Sequence, residues 1–455
     1  MNKVNLPLFL QKPIRFIYYS IPDKYRLGPV FRDTYEFLQK SQWWTEEKHN
    51  EYQLEEIKRL IRHAYDTVPY YKKKFYEAGI IPNSIQDFDD IKKIPYLTKE
   101  DVRNNLDDLI SKNYNKDKLK AIVTAGTTGI PVKIYVDRKY DLSREKAFVD
   151  HIFKRVGYRA DRYNKSAALR GDIIKNEIYE YKNRILNLSS FKMTKDNIFK
   201  YIYLIEKFNP LFLYAYPSSI SIISDYIIEN NMNLNTPNLK SVICASENIY
   251  DFQREKIEKA FKVKAFSFYG QAEHVSIGGE CEKSSFYHMQ SEYGYTEIIN
   301  KEGEDASYED EVGEIVSTGF SNYAMPFIRY KTGDMAIFTN EKCTCGRNYK
   351  LIKRVEGRKS EYFVDRDGNK ITLTRSDEAL WRVSNSIFTF QYIQNEPGDV
   401  ILEIVIKNEF GKHDLELIKE GFRKFYPQFD LEIKIVGNIE RTERGKHMYL
   451  VQNIK

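Results

Sequence analysis

The first hundred residues carry their hydrophobic side chains at helical spacing. Between Trp44 and Tyr71 the apolar residues recur three and four positions apart, as on the buried face of an amphipathic helix. They are Leu54, Ile57, Leu60, Ile61, Ala64 and Val68. Thr98 precedes Lys99 and Glu100, a suitable arrangement for a helix N-cap followed by an acidic first turn. We therefore predict a polar, mostly helical lead-in over residues 1–100.

The pattern changes after Leu119, where short β-like runs begin to alternate with helical stretches. Such alternation is typical of an α/β core with a partly parallel sheet, and we predict this fold class. The β-like runs are 121–123, 133–136, 241–245 and 265–268, and the helical stretches are 144–155, 218–229 and 252–261.

The last third of the chain has two further patterns. Residues 290–355 predict many short strands separated by glycine. After about residue 357 the order becomes strand, helix, strand, with a buried strand over 401–406 and a helix over 414–425. We predict a large N-terminal α/β domain over 1–357 and a small α+β domain over 361–455.

Composition narrows the class of protein. The chain has 455 residues, of which 42% are hydrophobic, 30% charged and 14% aromatic. This length predicts two or three domains, and the aromatic content argues against intrinsic disorder. The net charge of +6, from 71 Lys and Arg against 65 Asp and Glu, is too small for an obligatory basic nucleic-acid surface.

The cysteines and the apolar runs indicate the compartment. Four cysteines in a chain of this length are too few for a disulfide scaffold and fit a reducing compartment. No apolar run reaches the ~18–20 residues that a membrane span needs. The apolar N-terminal patch is interrupted by Pro7, Gln11, Pro13 and Arg15, so it lacks the core of a signal peptide. We predict a cytoplasmic protein without a membrane span, large enough to be an enzyme.

A loop rich in glycine and threonine lies between two of the β-like runs. It reads Thr124-Ala125-Gly126-Thr127-Thr128-Gly129-Ile130-Pro131. Its glycines permit an inward nest of N–H groups, and its threonine hydroxyls can donate to phosphate oxygens. It lacks the Gly-Lys-Ser/Thr ending of the Walker pattern. Taken alone, the loop fits a polar turn as well as it fits a phosphate loop.

A second cluster follows the β-like run at 265–268. It reads Phe268-Tyr269-Gly270-Gln271-Ala272-Glu273. Gly270 would give the strand a tight exit and let a purine approach the Tyr269 ring. The Glu273 carboxylate could hold Mg²⁺, which takes few protein oxygens. A surface glutamate on a loop is the alternative interpretation.

A third cluster ends in Gly333-Asp334, after Arg329-Tyr330-Lys331-Thr332. By itself Gly-Asp is typical of a turn, although a carboxylate placed there could accept from both hydroxyls of a ribose diol. We predict that Arg329 is structural and ties its loop to backbone carbonyls.

Three of the four cysteines group with a histidine. Six residues separate Cys281 from His288, and Cys343 and Cys345 belong to a predicted turn. Three thiolates and one imidazole are a permitted ligand set for structural Zn²⁺, but the Cys-x-Cys spacing is only partly typical, so inert or redox-active thiols remain alternatives. Zinc, which would pin two loops together, is the interpretation we favour. We predict that Cys244 is a small buried hydrophobe.

These clusters resemble the motifs of adenylate-forming enzymes, namely acyl-CoA synthetases, adenylation domains and luciferases. The loop at 124–131 resembles their phosphate loop, although Ile130 stands where many members have lysine. Residues 269–273 resemble the element Tyr-Gly-x-x-Glu, whose glutamate is associated with the Mg²⁺ of ATP. Residues 329–334 resemble Arg-Tyr-x-Thr-Gly-Asp, whose aspartate contacts ribose. The resemblance runs from about residue 50 to the end.

Two C-terminal segments extend the resemblance. Gly357-Arg358-Lys359-Ser360 resembles the hinge Gly-Arg-x-Asp, with Ser360 in place of the usual aspartate; this implies a hinge over 358–360. Arg441-Thr442-Glu443-Arg444-Gly445-Lys446 resembles the terminal motif whose lysine enters the site. Basic residues near a terminus are most often solvated, but a mobile cation suits the charge that builds on the α-phosphate during carboxylate attack.

Within this superfamily the chain resembles the phenylacetate–CoA ligase branch and its relatives in capsule and cell-surface polysaccharide pathways. The long tyrosine-rich N-terminal segment resembles those relatives more than the ligase itself. Cysteines and a histidine at similar positions in part of the family favour zinc. The branch resemblance rests on Tyr216-Pro217-Ser218-Ser219, Ala245-Ser246-Glu247, Glu280-Cys281 and Cys343-x-Cys345-Gly346-Arg347.

The resemblance implies a large α/β domain with a small mobile lid, and a two-step reaction. A carboxylic acid and MgATP would give acyl-AMP and pyrophosphate, and an acceptor would then take the acyl group. It implies catalytic roles for Lys446, Glu273 and Arg358, with Glu273 holding Mg²⁺. The residues implied in nucleotide binding are Thr124, Gly126, Thr127, Thr128, Gly129, Ala245, Ser246, Phe268, Tyr269, Gly270 and Asp334.

Several questions stay open at this point. The acceptor is either the thiol of coenzyme A or an amine, and neither the acid nor the oligomeric state, including a homodimer, is specified. A nucleotide-binding scaffold that has lost turnover through Ile130 and Ser360 is an alternative. The intact motif residues argue against it; they are Glu273, Asp334, Arg358 and Lys446. An RNA-binding protein is disfavoured, because the charge is nearly balanced and no aromatic-basic face is apparent.

Overall fold

The computed structural model describes residues 8–124, 131–170, 177–358, 361–373, 380–383, 386–407, 410–442 and 445–454. The chain forms two compact units. The first unit comprises Met1–Tyr163 and Phe268–Val355, and the second comprises Asn164–Ser267 and Glu356–Lys455. The division into domains over 1–357 and 361–455 stays a prediction. No helix within the described ranges is long and apolar enough to cross a membrane.

Helices dominate the beginning of the first unit and alternate with strands in the second. Their bounds are α1 Leu8–Ser20, α2 Asp23–Arg26, α3 Gly28–Ser41, α4 Glu46–Thr67, α5 Pro69–Glu77, α6 Phe88–Lys92, α7 Lys99–Asn104, α8 Arg138–Phe153, α9 Lys195–Phe208, α10 Pro217–Glu229, α11 Asp251–Phe261 and α12 Lys412–Phe425.

The chain passes from the second unit to the first at Phe268 and returns to the second at Glu356. The strands are β1 Lys120–Val123, β2 Lys133–Val136, β3 Ser166–Leu169, β4 Tyr179–Lys182, β5 Ile185–Leu188, β6 Phe212–Ala215, β7 Ser241–Cys244, β8 Lys264–Gly270, β9 Ile277–Gly279, β10 Tyr287–Met289, β11 Gly294–Ile299, β12 Val312–Gly319, β13 Tyr330–Phe338, β14 Leu351–Arg358, β15 Tyr362–Val364, β16 Lys370–Thr372, β17 Ile387–Glu396, β18 Asp399–Ile406, β19 Asp430–Ile435 and β20 Leu450–Gln452.

The helical lead-in is confirmed over its described residues. Thr45 caps α4 by accepting a hydrogen bond from the Lys48 N–H at 3.3 Å. Thr98 caps α7 as predicted, because its hydroxyl accepts from the Asp101 N–H at 3.1 Å while the Asp101 carboxylate accepts from the Thr98 N–H at 2.9 Å. This reciprocal capping box satisfies two helix-end donors. The predicted apolar face of α4 is buried, including Ile57, Leu60, Ile61 and Ala64.

An antiparallel sheet forms the centre of the first unit. Its strand order is β11-β12-β13-β14-β10-β9, and the last three residues of β8 pair with β9. Strands β11 to β14 have six to nine residues, so the strands predicted over 290–355 exist but are longer than expected. β1 and β2 pair as an antiparallel ribbon from Lys120 opposite Val136 to Val123 opposite Lys133, which confirms the predicted strand–loop–strand unit.

Parallel strands form the centre of the second unit, as predicted. β3 pairs in parallel with β5 and β6, β6 with β7, and β7 with the first residues of β8, while β4 is antiparallel to β5 at the edge. A separate sheet of order β19-β18-β17-β20 packs with α12. The predicted strand, helix and strand of the C-terminal region are therefore confirmed.

Three expectations about local structure are corrected. α8 begins at Arg138, six residues before the predicted start at 144. β18 is not buried on both faces: Val400, Leu402 and Ile404 are buried while the residues between them are half-exposed, because α12 covers one face of this sheet. Gly270 gives no tight exit, since it ends β8 without a positive φ.

A buried charge cluster ties Lys407, at the end of β18, to α10 and α11. Asp225 accepts from Lys256 Nζ at 3.1 Å and from Lys407 Nζ at 3.1 Å. The three side chains are only 7% to 13% exposed. One buried carboxylate therefore pairs with two buried ammonium groups, and the second negative charge comes from Glu229, which lies 2.9 Å from Lys407 Nζ.

Replacing Asp225 by asparagine should lower the free energy of unfolding by about 3 kcal/mol, because a buried charge that loses its partner is strongly destabilising. Urea unfolding followed by circular dichroism measures the change. The matched control is Glu416→Gln, which breaks an exposed pair with Lys419 and should cost less than about 1 kcal/mol. Equal effects of the two substitutions would contradict the assignment of Asp225 as a buried anchor.

Candidate functional site

The second and third sequence clusters meet in the first unit. The Tyr269 hydroxyl, near the end of β8, donates to Asp334 Oδ2 at 2.8 Å, and Gln271 Nε2 donates to the Tyr269 hydroxyl at 3.1 Å. The two clusters are far apart in sequence, and the sheet brings the end of β8 close to the middle of β13. A carboxylate oriented by a phenol is thus held beside the ring that was predicted to face a nucleotide.

Gly333 and Asp334 lie in a β-bulge, and not in a turn. The register of β12 against β13 shifts between Glu314 and Val316, and Gly333 has a φ of +77°. The Asp334 N–H donates to Thr332 Oγ1 at 3.0 Å, and the Thr332 hydroxyl donates to the Ile315 carbonyl at 2.8 Å. A bulge re-aims the side chains of its strand, so it sets the direction of the Asp334 carboxylate.

Glu273 is buried beside Asp334 in the same unit. Its carboxylate accepts from the Tyr330 hydroxyl at 3.0 Å, and its residue is 9% exposed. Burial raises the pKa of Glu273, and the negative charge of Asp334 raises it further, while Lys99 acts in the opposite direction. A buried carboxylate and a half-buried carboxylate that repel each other favour a bound cation. Their chemistry therefore fits the magnesium predicted at Glu273.

Lys99 belongs to this cluster although no motif indicated it, and Tyr330, a residue of the third sequence cluster, binds Glu273 in a contact that the motif did not predict. Lys99 Nζ lies 3.2 Å from the position that a Cβ on Gly333 would occupy. Lys99 is the first residue of α7, and the Thr98 cap fixes where this helix begins. The cap was the only feature of the sequence that bore on the position of Lys99. No spacing rule connects a lysine at 99 with a carboxylate at 273.

The predicted phosphate loop is described only at its base. The Thr124 N–H donates to the Val132 carbonyl, and the Val132 N–H donates to Thr124 Oγ1, both at 2.9 Å. Gly126, Thr127, Thr128 and Gly129 lie outside the described residues. Phe268 packs edge to face on Phe153 with ring centroids 5.1 Å apart, and its role in nucleotide binding stays a prediction.

Lys446 lies in the second unit, against one of the predicted nucleotide-binding segments. Its Nζ donates to the Ser246 carbonyl at 3.0 Å. Ser246 has a φ of +69°, an uncommon value for a residue other than glycine. The preceding Ala245 donates its N–H to the Ala215 carbonyl at 3.3 Å, so the turn follows the ends of two parallel strands. The terminal lysine and the turn at 245–246 are therefore neighbours, while their roles in catalysis and nucleotide binding stay predictions.

Two charged residues hold this arrangement, and neither of them was assigned a role from the sequence. Arg441 Nη1 donates to the hydroxyls of Ser218 and Ser219 and to the Gly445 carbonyl, each at 3.1 Å. Glu247 accepts from the Ser218 N–H at 3.1 Å and from the His447 N–H at 3.0 Å. Each side chain binds both the start of α10 and the C-terminal segment. Both residues belong to sequence motifs that resemble those of adenylate-forming enzymes. This resemblance was the only feature of the sequence that pointed to them.

Arg358 is the last residue of β14. Its N–H lies 3.4 Å from Glu361 Oε2, and its carbonyl accepts from the Glu361 N–H at 2.7 Å. Lys359 and Ser360 lie outside the described residues, so the hinge over 358–360 and the catalytic role of Arg358 stay predictions.

Arg329 is structural, as predicted. Its guanidinium donates to the carbonyls of Lys92 and Ile94, and it pairs with the Glu297 carboxylate at 2.8 Å. The prediction for Cys244 is also confirmed, because this side chain is fully buried in the core of the second unit.

The three predicted cysteines and His288 come together in the first unit. The ligand atoms of Cys281, His288, Cys343 and Cys345 all lie within 4.8 Å of one another. The Cys281 and Cys343 sulfurs are 3.5 Å apart, and Cys345 Sγ is 3.2 Å from His288 Nε2. Sulfurs on a tetrahedral zinc lie about 3.8 Å apart, given Zn–S bonds of about 2.3 Å. The spacing therefore fits a zinc ion.

Neighbouring groups orient these ligands. His288 Nδ1 lies 3.0 Å from the Phe286 carbonyl, which leaves Nε2 turned toward the thiols, as in metal-binding histidines generally. The N–H groups of Lys283 and Ser284 donate to Cys281 Sγ at 3.3 Å, a contact that favours a thiolate. Arg347 and Glu282 pair through two hydrogen bonds of 2.8 and 2.9 Å and so join the two loops that carry the cluster.

Comparison with known sequences gives two kinds of relative. Residues 363–453, which include Lys446, match the family described as the CapK C-terminal domain. The chain is 27% identical to protein CapK of Staphylococcus aureus over 95% of this chain and 99% of the relative. It is 22% identical to a phenylacetate-coenzyme A ligase of Thermus thermophilus over 88% of this chain and 95% of the relative.

Comparison with solved structures identifies the fold. A 2-hydroxyisobutyryl-CoA ligase in the postadenylation state, in complex with R3-HIB-AMP, aligns with a TM-score of 0.72 at 18% identity over 91% of this chain and 93% of that one. An open conformation of this ligase with 2-HIB-AMP and CoA aligns with a TM-score of 0.59 at 18% identity, over 90% and 95%. The predicted fold class is therefore confirmed.

Proposed function

Because the chain is a homologue of CapK and of the phenylacetate-coenzyme A ligases and has the fold of adenylate-forming ligases, we propose that it activates a carboxylic acid with ATP. A carboxylate oxygen attacks the α-phosphorus, the bond from that phosphorus to the bridging oxygen breaks, and pyrophosphate leaves. The product is an acyl-AMP. The charge that develops lies on oxygens that are already anionic, so the reaction requires cations held at the phosphates.

The observation that carries this proposal is the position of Lys446. Arg441 and Glu247 hold the segment on both sides of this lysine, through contacts of 3.1 Å from Arg441 to Ser219 and 3.0 Å from the His447 N–H to Glu247. The Lys446 ammonium is a compact point charge, held 3.0 Å from the Ser246 carbonyl. We assign it to the stabilisation of the α-phosphate oxygens during attack.

The carboxylates of the first unit take the other roles. Glu273 would hold the Mg²⁺ that neutralises the phosphates, and Asp334 would accept hydrogen bonds from the ribose hydroxyls. Each carboxylate is already oriented by a tyrosine hydroxyl, at 3.0 Å for Glu273 and 2.8 Å for Asp334. Residues oriented before the ligand arrives lose less entropy when it binds. Magnesium supplies charge neutralisation when bound.

Coenzyme A and an amine are both retained as acceptors in the second step. The phenylacetate-coenzyme A ligases and the 2-hydroxyisobutyryl-CoA ligase favour the thiol, which would displace AMP to give a thioester. Tyr216, whose ring centroid lies 6.0 Å from Lys446 Nζ, is the residue we assign to the acid pocket. A cytoplasmic location and a part in polysaccharide biosynthesis stay predictions.

The test is pyrophosphate release from MgATP with hydroxylamine as the trap, over aryl, fatty, amino and sugar acids, with and without coenzyme A. Hydroxylamine intercepts an acyl-AMP whatever its natural acceptor. A hydroxamate identifies the acid and supports the proposal, and acyl-CoA formation selects the thiol. ATP binding without pyrophosphate release over the whole panel would contradict the proposal and favour a nucleotide-binding scaffold.

We also propose that Cys281, His288, Cys343 and Cys345 hold a structural zinc ion. The four ligands leave no coordination position for substrate, so the ion would only join two loops. The protein should therefore contain stoichiometric zinc, measured by mass spectrometry. Cys345→Ser should remove it and lower the melting temperature by about 5–10 °C.

Cys244→Ala is the matched control, because Cys244 lies outside the cluster in the core of the second unit. This variant should keep its zinc, whatever its melting temperature. A zinc-free protein whose three clustered thiols react freely with a thiol reagent would contradict the zinc assignment.

A further inference from the structure

The segment formed by α1 and α2 exposes an unusual number of large apolar side chains. Phe16 is 56% exposed, Ile17 62%, Ile21 41% and Tyr25 60%. Large apolar side chains scattered singly over a surface need no explanation, whereas a contiguous group does. These four lie within ten residues of chain, and they play no part in the proposed reaction.

The same segment keeps its polar contacts on the inner side. The Arg26 guanidinium lies 5.0 and 4.9 Å from the ring centroids of Tyr18 and Tyr19, and it pairs with buried Asp23. Asp23 also accepts from Lys146 at 2.8 Å, on α8. The segment is thus fixed to the first unit through charges while its apolar side chains point outward, the reverse of the usual arrangement.

Helical geometry places the outward side chains together. In α1, positions 13, 16, 17 and 20 lie three and four residues apart and therefore share one face. Pro13, Phe16 and Ile17 on this face are exposed. Ile21 and Tyr25 continue the exposed series into α2, and the Lys24 N–H anchors the turn by donating to the Ala160 carbonyl at 2.9 Å.

The charge of the segment indicates what would cover this face. The first 26 residues contain five basic residues and one acidic residue, a net +4 of the +6 of the whole chain. The single acidic residue, Asp23, is buried and paired. A second copy of the chain would place this basic segment against itself, because the same patch is used on both subunits of a two-fold dimer. An anionic surface matches the charge.

We propose that the α1–α2 segment docks on an anionic lipid bilayer. Phe16 and Ile17 enter the boundary between headgroups and acyl chains, and Ile21 and Tyr25 lie at headgroup level, where amphipathic rings are favoured. Exposed Arg15 binds lipid phosphates. This is association with the surface, since no helix in the described part of the chain can span a membrane.

The test is co-sedimentation of the full chain with vesicles. Phosphatidylcholine vesicles are compared with vesicles that also contain phosphatidylglycerol, at low and high salt. We expect binding to the anionic vesicles that weakens with salt, and little binding to phosphatidylcholine. The double substitution Phe16→Ser with Ile17→Ser should weaken binding at least tenfold. Arg15→Glu should weaken it on anionic vesicles alone.

The matched control is Tyr76→Ser with Ile81→Ser, which removes two exposed side chains, 84% and 63% exposed, from another surface. It should bind as the natural chain does. Because neither pair belongs to the proposed nucleotide site, ATP binding and circular dichroism should be unchanged in both variants and report folding independently.

Three outcomes would overturn the proposal. They are absence of vesicle binding, equal binding to neutral and anionic vesicles, and equal loss in the control variant. Self-association in sedimentation velocity that Phe16→Ser with Ile17→Ser abolishes, without vesicle binding, would instead identify the face as an interface between copies. The result is independent of whether the chain forms an acyl-AMP.

Discussion

Replacing Lys446 by alanine should reduce acyl-AMP formation by about 10²–10³-fold, the usual effect of removing one preorganised group from a developing anionic transition state. ATP affinity should stay within a few-fold, because the lysine acts on charge that develops during attack. Pyrophosphate release in single turnover measures the first quantity, and equilibrium binding of ATP measures the second. The loss should appear in kcat with little change in KM for ATP.

Two further variants separate this effect from a loss of structure. Lys434→Ala removes another lysine from the second unit, 45% exposed on β19, and should leave the rate unchanged. Lys446→Arg keeps the charge but changes its shape and should recover only part of the activity. Unimpaired pyrophosphate release in Lys446→Ala would show that this lysine does not act on the phosphate.

Replacing Glu273 by glutamine should weaken magnesium-dependent ATP binding by about 10–100-fold, since even the partners that surround a metal ligand have effects of this size. In the natural chain the Tyr330 hydroxyl lies 3.0 Å from Glu273 Oε1. The glutamine amide oxygen can accept the same hydrogen bond, so the fold should be preserved. Magnesium titration of ATP binding measures the change. The shift should appear in the magnesium concentration needed and disappear when magnesium is omitted.

The melting temperature of Glu273→Gln is the control that separates a loss of magnesium binding from a loss of folding. Burial raises the pKa of Glu273, which means that the ionised carboxylate is disfavoured in the folded protein. Its replacement by a neutral amide should therefore not lower the melting temperature. Tyr330→Phe, which keeps the carboxylate and removes only its donor, should change magnesium dependence less than Glu273→Gln. Equal magnesium dependence in Glu273→Gln and the natural chain would exclude a metal role.

Local patterns were predictable where neighbouring residues decide the outcome. The cap at Thr98 depends on Asp101, three positions away, and the buried face of α4 depends on residues three and four positions apart. The strand–loop–strand unit at β1 and β2 follows from two apolar runs separated by a loop. In each case the decisive contacts lie within one element or between adjacent ones.

Other features could not be predicted from the sequence, because they depend on contacts with residues far away in the chain. The bulge at Gly333 arises from the register of β12 against β13, and no property of Gly-Asp distinguishes it from a turn. Likewise, burial on one face of β18 depends on where α12 packs. The reason in both cases is that a strand's surroundings are set by its neighbours in the sheet.

The amino-acid sequence by itself determined the α/β class, the motif residues and the four zinc-ligand candidates, because these depend on residue type and on short spacing. Only the tertiary structure decided that Arg441 and Glu247 hold the segment of Lys446 and that Lys99 lies beside Gly333. It also decided that Phe16 and Ile17 point outward. Each of these contacts joins residues that are far apart in the chain, so it forms only when their strands and helices pack together. Local conformational preferences do not determine which distant side chains come into contact.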